Sequence, residues 1–335
     1  MGQTMMTNHQ RTMQQKGQGL KGLLTSIQWI SQSPGLLADT ARQRVLVVDR
    51  FSGVENFVDL DGDGIGELSH GEILCRMLRH GYSPQQILTL DIADQSLADT
   101  LDDALMAILS PDGESIHALC FAQQTFATRL SELKDLMGLH DLTAQTLHQH
   151  QHAIRTMLAD WHQEWISAPE NLLPEEARYA CHWPVIQRLE YLAVLGIHVY
   201  VAAGNEGPDH VNLFSLAVGV HTVGACQGPQ PGIAADYSAN HSLVHHWGPG
   251  QFPVVACHHK GQVVGLSWTG GPGVDLPLSE LAEAGVLAER RRYGLPDAMA
   301  AVPEDMHLWG SSFSVPWVMV QRLQKITQQG LPPLV

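Results

Sequence analysis

The sequence has no CxxC pair and only five cysteines, at positions 75, 120, 181, 226 and 257. An odd number without paired spacing argues against a disulfide framework. Four of the five lie in apolar or mixed segments, which implies reduced, mostly buried thiols and a cytosolic setting. Basic residues are scarce: 19 Lys and Arg stand against 34 Asp and Glu, a formal charge of -15. That balance argues against nucleic acid or an anionic membrane as the main partner. No apolar run is long enough to span a bilayer, and Leu20 to Ile30 is too short and too interrupted. The first eighteen residues are polar and rich in Gln and Met. They lack the basic-then-apolar pattern of a secretory signal, so the expected location is cytoplasmic. The Gly-x-Ser-x-Gly elbow is also missing, which counts against the α/β-hydrolase class.

What is present is ample material for a core: 335 residues, 44% of them hydrophobic. Length alone allows two domains, but one large α/β domain fits equally well. Residues 20 to 43 read as one or two helices broken at Ser33-Pro34-Gly35. Arg44 to Asp49 is a continuous apolar run ending in a carboxylate, which suits a buried parallel strand. Gln85 to Ile92 and Ile116 to Ala122 read as two further strands. Leu97 to Leu109 carries a helical apolar face between them. This β-α-β-α-β alternation implies a parallel sheet with crossover helices. Residues 126 to 192 have a mostly helical, polar pattern, and a helix ends at Gly196. Ile197 to Gly207 is a strand running into a Gly-rich turn, and Val218 to Ala225 is another strand. His245-His246 and His258-His259 read as exposed loop residues. Residues 276 to 305 read as helical.

Several residues are candidates for chemistry. Gly310-Ser311-Ser312 makes a tight turn before an apolar, helix-compatible run, Val315 to Leu323, with Pro316 in its first turn. Ser312 is then a nucleophile near a positive helix end, or simply an N-capping serine. Asp49 sits at a strand's carboxyl end, where ligand chemistry gathers in open α/β sheets, or it caps the next element. Asn205 is an oxyanion donor or a turn residue. Asp59, Asp61 and Asp63 match the first half of an EF-hand loop, but position twelve is His70 and not a bidentate Glu. The competing reading takes Ser69-His70-Gly71 as the start of a helix, Glu72 to Arg79, and no calcium. His148 and His152 lie four apart on one helix face without a third ligand nearby, so a solvated face is expected. Trp161 and Trp165 read as packing residues.

Taken together, Gly310-Ser311-Ser312-Phe313-Ser314-Val315-Pro316 resembles the nucleophile signature of subtilisin-like serine proteases. Val201-Ala202-Ala203-Gly204-Asn205-Glu206-Gly207 resembles the family's oxyanion segment, and Ser69-His70-Gly71 its His-Gly helix start. Asp49 stands where the family has its aspartate, although Asp-Arg replaces Asp-Thr/Ser-Gly. The resemblance covers roughly residues 44 to 325 in the family's order Asp, His, Asn, Ser. It implies a three-layer α/β fold with a mostly parallel central sheet and helical insertions at about 126–185 and 276–305. Residues 1–43 would be an N-terminal helical extension and 44–335 the catalytic domain. It further implies a serine endopeptidase with Asp49, His70 and Ser312 as triad and Asn205 as oxyanion donor. Cys120, Phe121, Ala122, Ala202, Ala203 and Gly204 would bind a peptide or protein substrate. No cofactor or metal is implied, and the oligomeric state stays open. Only about forty residues precede the first strand, too few for the family's usual pro-segment. Ala122 stands where the family has glycine, so its methyl is expected to restrict a pocket and make cleavage selective. The alternative is a catalytically impaired pseudoprotease that binds peptides.

Overall fold

Apolar runs covered on both faces form strands of a parallel sheet, and the local sequence decides where each ends. The computed structural model describes residues 44–51, 57–58, 68–92, 96–109, 116–227, 233–259, 262–268, 274–277 and 307–329. In chain order the first elements are β1 (Arg44–Asp49), β2 (Phe57–Val58), β3 (Leu68–Ser69) and α1 (His70–Leu78). There follow β4 (Ile87–Asp91), α2 (Leu97–Leu109) and β5 (Ile116–Phe121). The polar helical region holds α3 (Leu130–Met137), α4 (Leu147–Ser167), α5 (Pro174–Ala180) and α6 (Trp183–Val194). Then come β6 (His198–Ala202), β7 (His221–Cys226), β8 (His246–Pro249), β9 (Gln251–His259), β10 (Gln262–Trp268) and β11 (Val274–Pro277). β12 (His307–Trp309) leads into α7 (Ser311–Gln329).

Six strands form one parallel sheet in the order β4-β1-β5-β6-β7-β8. This is an α/β fold, as the alternating pattern implies. Side chains alternate across the sheet. Leu46, Val48, Leu119, Phe121, Val199 and Val201 enter one core cluster with α2 and α6. Val45, Val47, Ala118, Cys120, Tyr200 and Ala202 enter the other, with α1 and α7. The result is three layers, helices on both faces of a sheet. A smaller antiparallel sheet, β11-β10-β9-β12, places β12 directly ahead of α7.

Several expectations change. β8 begins at His246 and β9 ends at His258-His259, where these histidines read as loop residues, while His245 stays outside a strand. Pro, Gly and His interrupt these runs, but pairing with neighbours overrides their weak propensity. α7 begins at Ser311, not after Ser314, so Pro316 lies inside the helix. Its missing N–H leaves the Ser312 carbonyl without its i+4 donor. Trp161 packs on the first cluster, whereas Trp165 is largely exposed and meets only the His162 ring, at 5.8 Å, among the described ring contacts. Cys181 is exposed too. The readings for residues 20–43, for the Asp59–Asp63 loop and for 278–305 lie outside the described residues.

Candidate active site

Asp49 ends β1 at the carboxyl edge of the sheet and is 1% exposed. A carboxylate so buried needs hydrogen bonds. Its Oδ1 accepts from the Arg50 N–H at 2.7 Å. Both oxygens also face His70 Nδ1, at 3.0 and 3.1 Å. Asp91 ends the neighbouring strand in register with Asp49 but turns to accept from the Phe51 N–H at 3.2 Å.

His70 is the first residue of α1, and a capping box fixes that start. The Glu72 N–H donates to Ser69 Oγ at 3.2 Å, and the Ser69 N–H to Glu72 Oε2 at 2.9 Å. The glycine after the histidine has a steric cause. A Cβ on Gly71 would lie 2.7 Å from the Phe51 ring and 2.9 Å from the Arg50 carbonyl. The Gly71 N–H donates to that same carbonyl at 3.1 Å. The backbone just after Asp49 therefore rests on the helix start and holds carboxylate and imidazole together. Phe313 packs against the His70 ring at 5.2 Å between centroids.

Ser312, the second residue of α7, places Oγ 3.0 Å from His70 Nε2 and is 7% exposed. With Nδ1 against a carboxylate, the ring proton belongs there, and Nε2 is left to accept from the serine hydroxyl. The adjacent serines do different work. Ser311 Oγ accepts from the Gly204 N–H at 3.1 Å. Ser314 Oγ donates toward the Gly248 and Pro249 carbonyls, at 3.2 and 3.1 Å. The first turn of α7 is thus tied to the ends of β6 and β8, and its leading N–H groups have no helical partner.

Asn205 follows β6. Its Oδ1 accepts from the Ser311 N–H at 2.6 Å, which identifies the other end of the amide as the donor. A Cβ on Gly310 would fall 3.1 Å from Ser312 Oγ and 3.3 Å from Asn205 Nδ2. The two polar atoms therefore flank one small space, kept open because Gly310 adopts φ 149°. Few residues other than glycine reach that backbone conformation.

No protein-family profile matches the chain, and no curated protein matches it. Solved structures do. One is the self-cleaved protease domain of PatA, at 14% identity and a TM-score of 0.43, covering 89% of this chain and 85% of that one. Another is the epidermin leader peptide processing serine protease EpiP from Staphylococcus aureus, at 13% identity and 0.42, covering 88% and 67%. A third is a lanthipeptide protease, at 13% identity and 0.40, covering 87% and 76%.

Two thiols lie near Asp49 without competing with Ser312. Burial, then the Asp49 charge, pushes the Cys75 thiol up to about 12 and the Cys120 thiol well above its usual value. Both stay protonated and weakly nucleophilic.

The residues expected to line a substrate groove are placed differently. Cys120 and Phe121 are fully buried, and their strand pairs with β1 on one side and β6 on the other. Phe121 packs on Phe214 inside the first cluster. Neither side chain can form a pocket wall. The Ala122 methyl lies in the second cluster. The Ala202 carbonyl accepts from Asn212 Nδ2 at 2.7 Å, and the Ala203 carbonyl from the Asn212 N–H at 3.2 Å. Gly204 borders a recess with 124–128, Glu206 and 210–212. Glu206 and His210 escape sequence reasoning. Only Glu206 carries a signal, its place directly after Asn205.

Proposed function

We propose that this chain is a subtilisin-like serine endopeptidase. The observation that carries the reading is the relay from Asp49 through His70, 3.0 Å on each side, to Ser312 Oγ. His70 removes the hydroxyl proton as Oγ attacks the acyl carbon. Asp49 holds the tautomer and stabilises the imidazolium. Asn205 Nδ2 and the Ser312 N–H donate to the oxyanion that develops in the space beside Gly310. The leaving amine takes the proton back from His70. Water, activated by the same imidazole, then hydrolyses the acyl-enzyme.

Peptide bonds are the substrate class that the motifs at 201–207 and 310–316 imply. Residues 44–335 form the catalytic unit in this reading, with insertions at 126–185 and 276–305 and an extension over 1–43. Selective cleavage belongs to the same reading, and a recess lined by 124–128, Gly204, Glu206 and 210–212, next to Asn205 in the chain, is where a substrate side chain would be discriminated.

A fluorophosphonate probe tests the reading. It should label wild-type protein at Ser312, and Ser312→Ala should abolish labelling while thermal unfolding stays unchanged. Labelling that survives Ser312→Ala would refute the nucleophile. Absent labelling, with peptides still bound, would identify the catalytically impaired binding module.

A further inference from the structure

Three residues before Ser312, Trp309 ends β12 with 57% of its surface exposed. Tryptophan is highly buried on average, and this one stays open three residues from the candidate nucleophile, where a substrate could meet it. Its only ring contact among the described residues is Tyr237, edge to face at 5.2 Å and 62°. That neighbour is firmly fixed. The Tyr237 hydroxyl donates to the Gly250 carbonyl at 2.6 Å, and the Tyr237 carbonyl accepts from the Gly207 N–H at 2.7 Å. The Gly250 carbonyl also accepts from the Gly310 N–H at 2.8 Å. Packing leaves no slack there, since a Cβ on Gly250 would meet the Tyr237 hydroxyl at 2.8 Å and the Gly310 carbonyl at 3.0 Å.

The aromatic pair is therefore braced on Gly250, whose carbonyl also holds the glycine that opens the nucleophile turn. Three chain steps at 3.8 Å put the Trp309 Cα at most about 11 Å from the Ser312 Cα. An extended peptide advances about 3.4 Å per residue, so the Trp309 Cα lies within the reach of about three substrate residues from the attacked carbonyl. A rigid aromatic face loses little freedom when it binds, which favours it as a contact.

We propose that Trp309, braced by Tyr237, is a specificity-determining face that receives an apolar or aromatic side chain of the peptide substrate near the scissile bond. The proposal rests on the serine endopeptidase reading and deepens it by naming what the substrate carries. Among the described residues no cation lies over the Trp309 or Tyr237 ring; an apolar or aromatic group gains there from stacking and area burial, whereas an anionic group gains nothing comparable.

The test compares two synthetic decapeptide pools that differ only in carrying Phe or Ser within three positions of a fixed cleavable bond. Wild-type protein should cut the Phe pool with the higher kcat/KM. Trp309→Ala should lower the Phe-to-Ser ratio about tenfold or more, and Trp309→Phe should restore most of it. An unchanged ratio in Trp309→Ala overturns the proposal. The same pools are offered to Ser312→Ala, where capture needs no turnover. Preferential capture of Phe peptides that disappears on adding Trp309→Ala upholds the face even if wild-type protein neither cuts nor labels, in which case only the endopeptidase reading fails. Equal capture of both pools sinks the face.

Discussion

At the residue scale, Asn205 has two ends with two jobs. Its oxygen holds the Ser311 N–H at 2.6 Å, and its nitrogen borders the space beside Ser312. Asn205→Ala removes both functions and cannot separate them. Asn205→Asp keeps an oxygen for the Ser311 N–H and replaces the donor by a second oxygen. It should lower kcat by roughly 10²–10³ with a nearly unchanged KM and melting temperature, because the donor acts on the transition state. Steady-state kinetics on any cleaved peptide checks this, and full activity in Asn205→Asp would make Asn205 a turn residue. The approach of Asp49, His70 and Ser312 is legible in the sequence, because each sits in a short motif whose neighbours carry meaning. The contact between Gly71 and Phe51 is not, since nothing in a Gly codon position says which ring lies 2.7 Å from its missing Cβ. Nor are Trp309 and Tyr237, which meet across 72 positions of chain, from 237 to 309.

At the scale of elements, the first turn of α7 divides labour among three serines. Ser312 faces His70, while Ser311 satisfies the Gly204 N–H in a fully buried setting. Ser311→Ala would orphan that donor at a cost of about 1–3 kcal/mol. Urea denaturation should therefore separate the two variants: Ser311→Ala loses stability and retains a measurable nucleophile, whereas Ser312→Ala does the reverse. Equal midpoints for Ser311→Ala and wild type would mean that water or a local shift replaces the serine oxygen. The strands that build this site, β1, β5 and β6, are legible because buried parallel strands read as unbroken apolar runs. β8 and β9 are not, because His246-Trp247-Gly248-Pro249 has no such run and becomes a strand only through its neighbour β7. The start of α7 is misread for a related reason. Pro316 marks a helix beginning when considered locally, but the bonds of Ser311 and Ser314 to two strand ends extend the helix upstream past it.

At the scale of the whole molecule, 19 histidines outnumber what one active site needs, and many of those described are packed where a charge is unwelcome. Burial lowers His117 to about 4. Burial, then the Arg178 charge, lowers His182 to about 4. Burial, then His245, lowers His241 to about 4. In His221 burial acts first, and Arg322, His246, His198 and His245 add to it, for a value of about 3. The Arg322 guanidinium donates to His246 Nε2 at 2.7 Å, and His246 lies 3.4 Å from His221 Nδ1, so this end of the sheet is already cationic. All four groups bind protons more weakly when folded than the ordinary 6.5 of an unfolded histidine. The unfolded chain therefore takes up more protons as pH falls below about 6.5. The stability they allow is fully present above that value and is lost progressively on the way down to pH 3–4. Thermal melts at pH 7.5, 6 and 5 should show the midpoint falling with acid. His221→Phe keeps a ring for the 4.8 Å stack on Tyr200 and removes one titrating group. Its melting temperature should depend less steeply on pH than that of the wild type. Parallel pH profiles for the two proteins would mean that the His221 end of the sheet opens or hydrates before it charges, and that the acid sensitivity resides in the other three histidines.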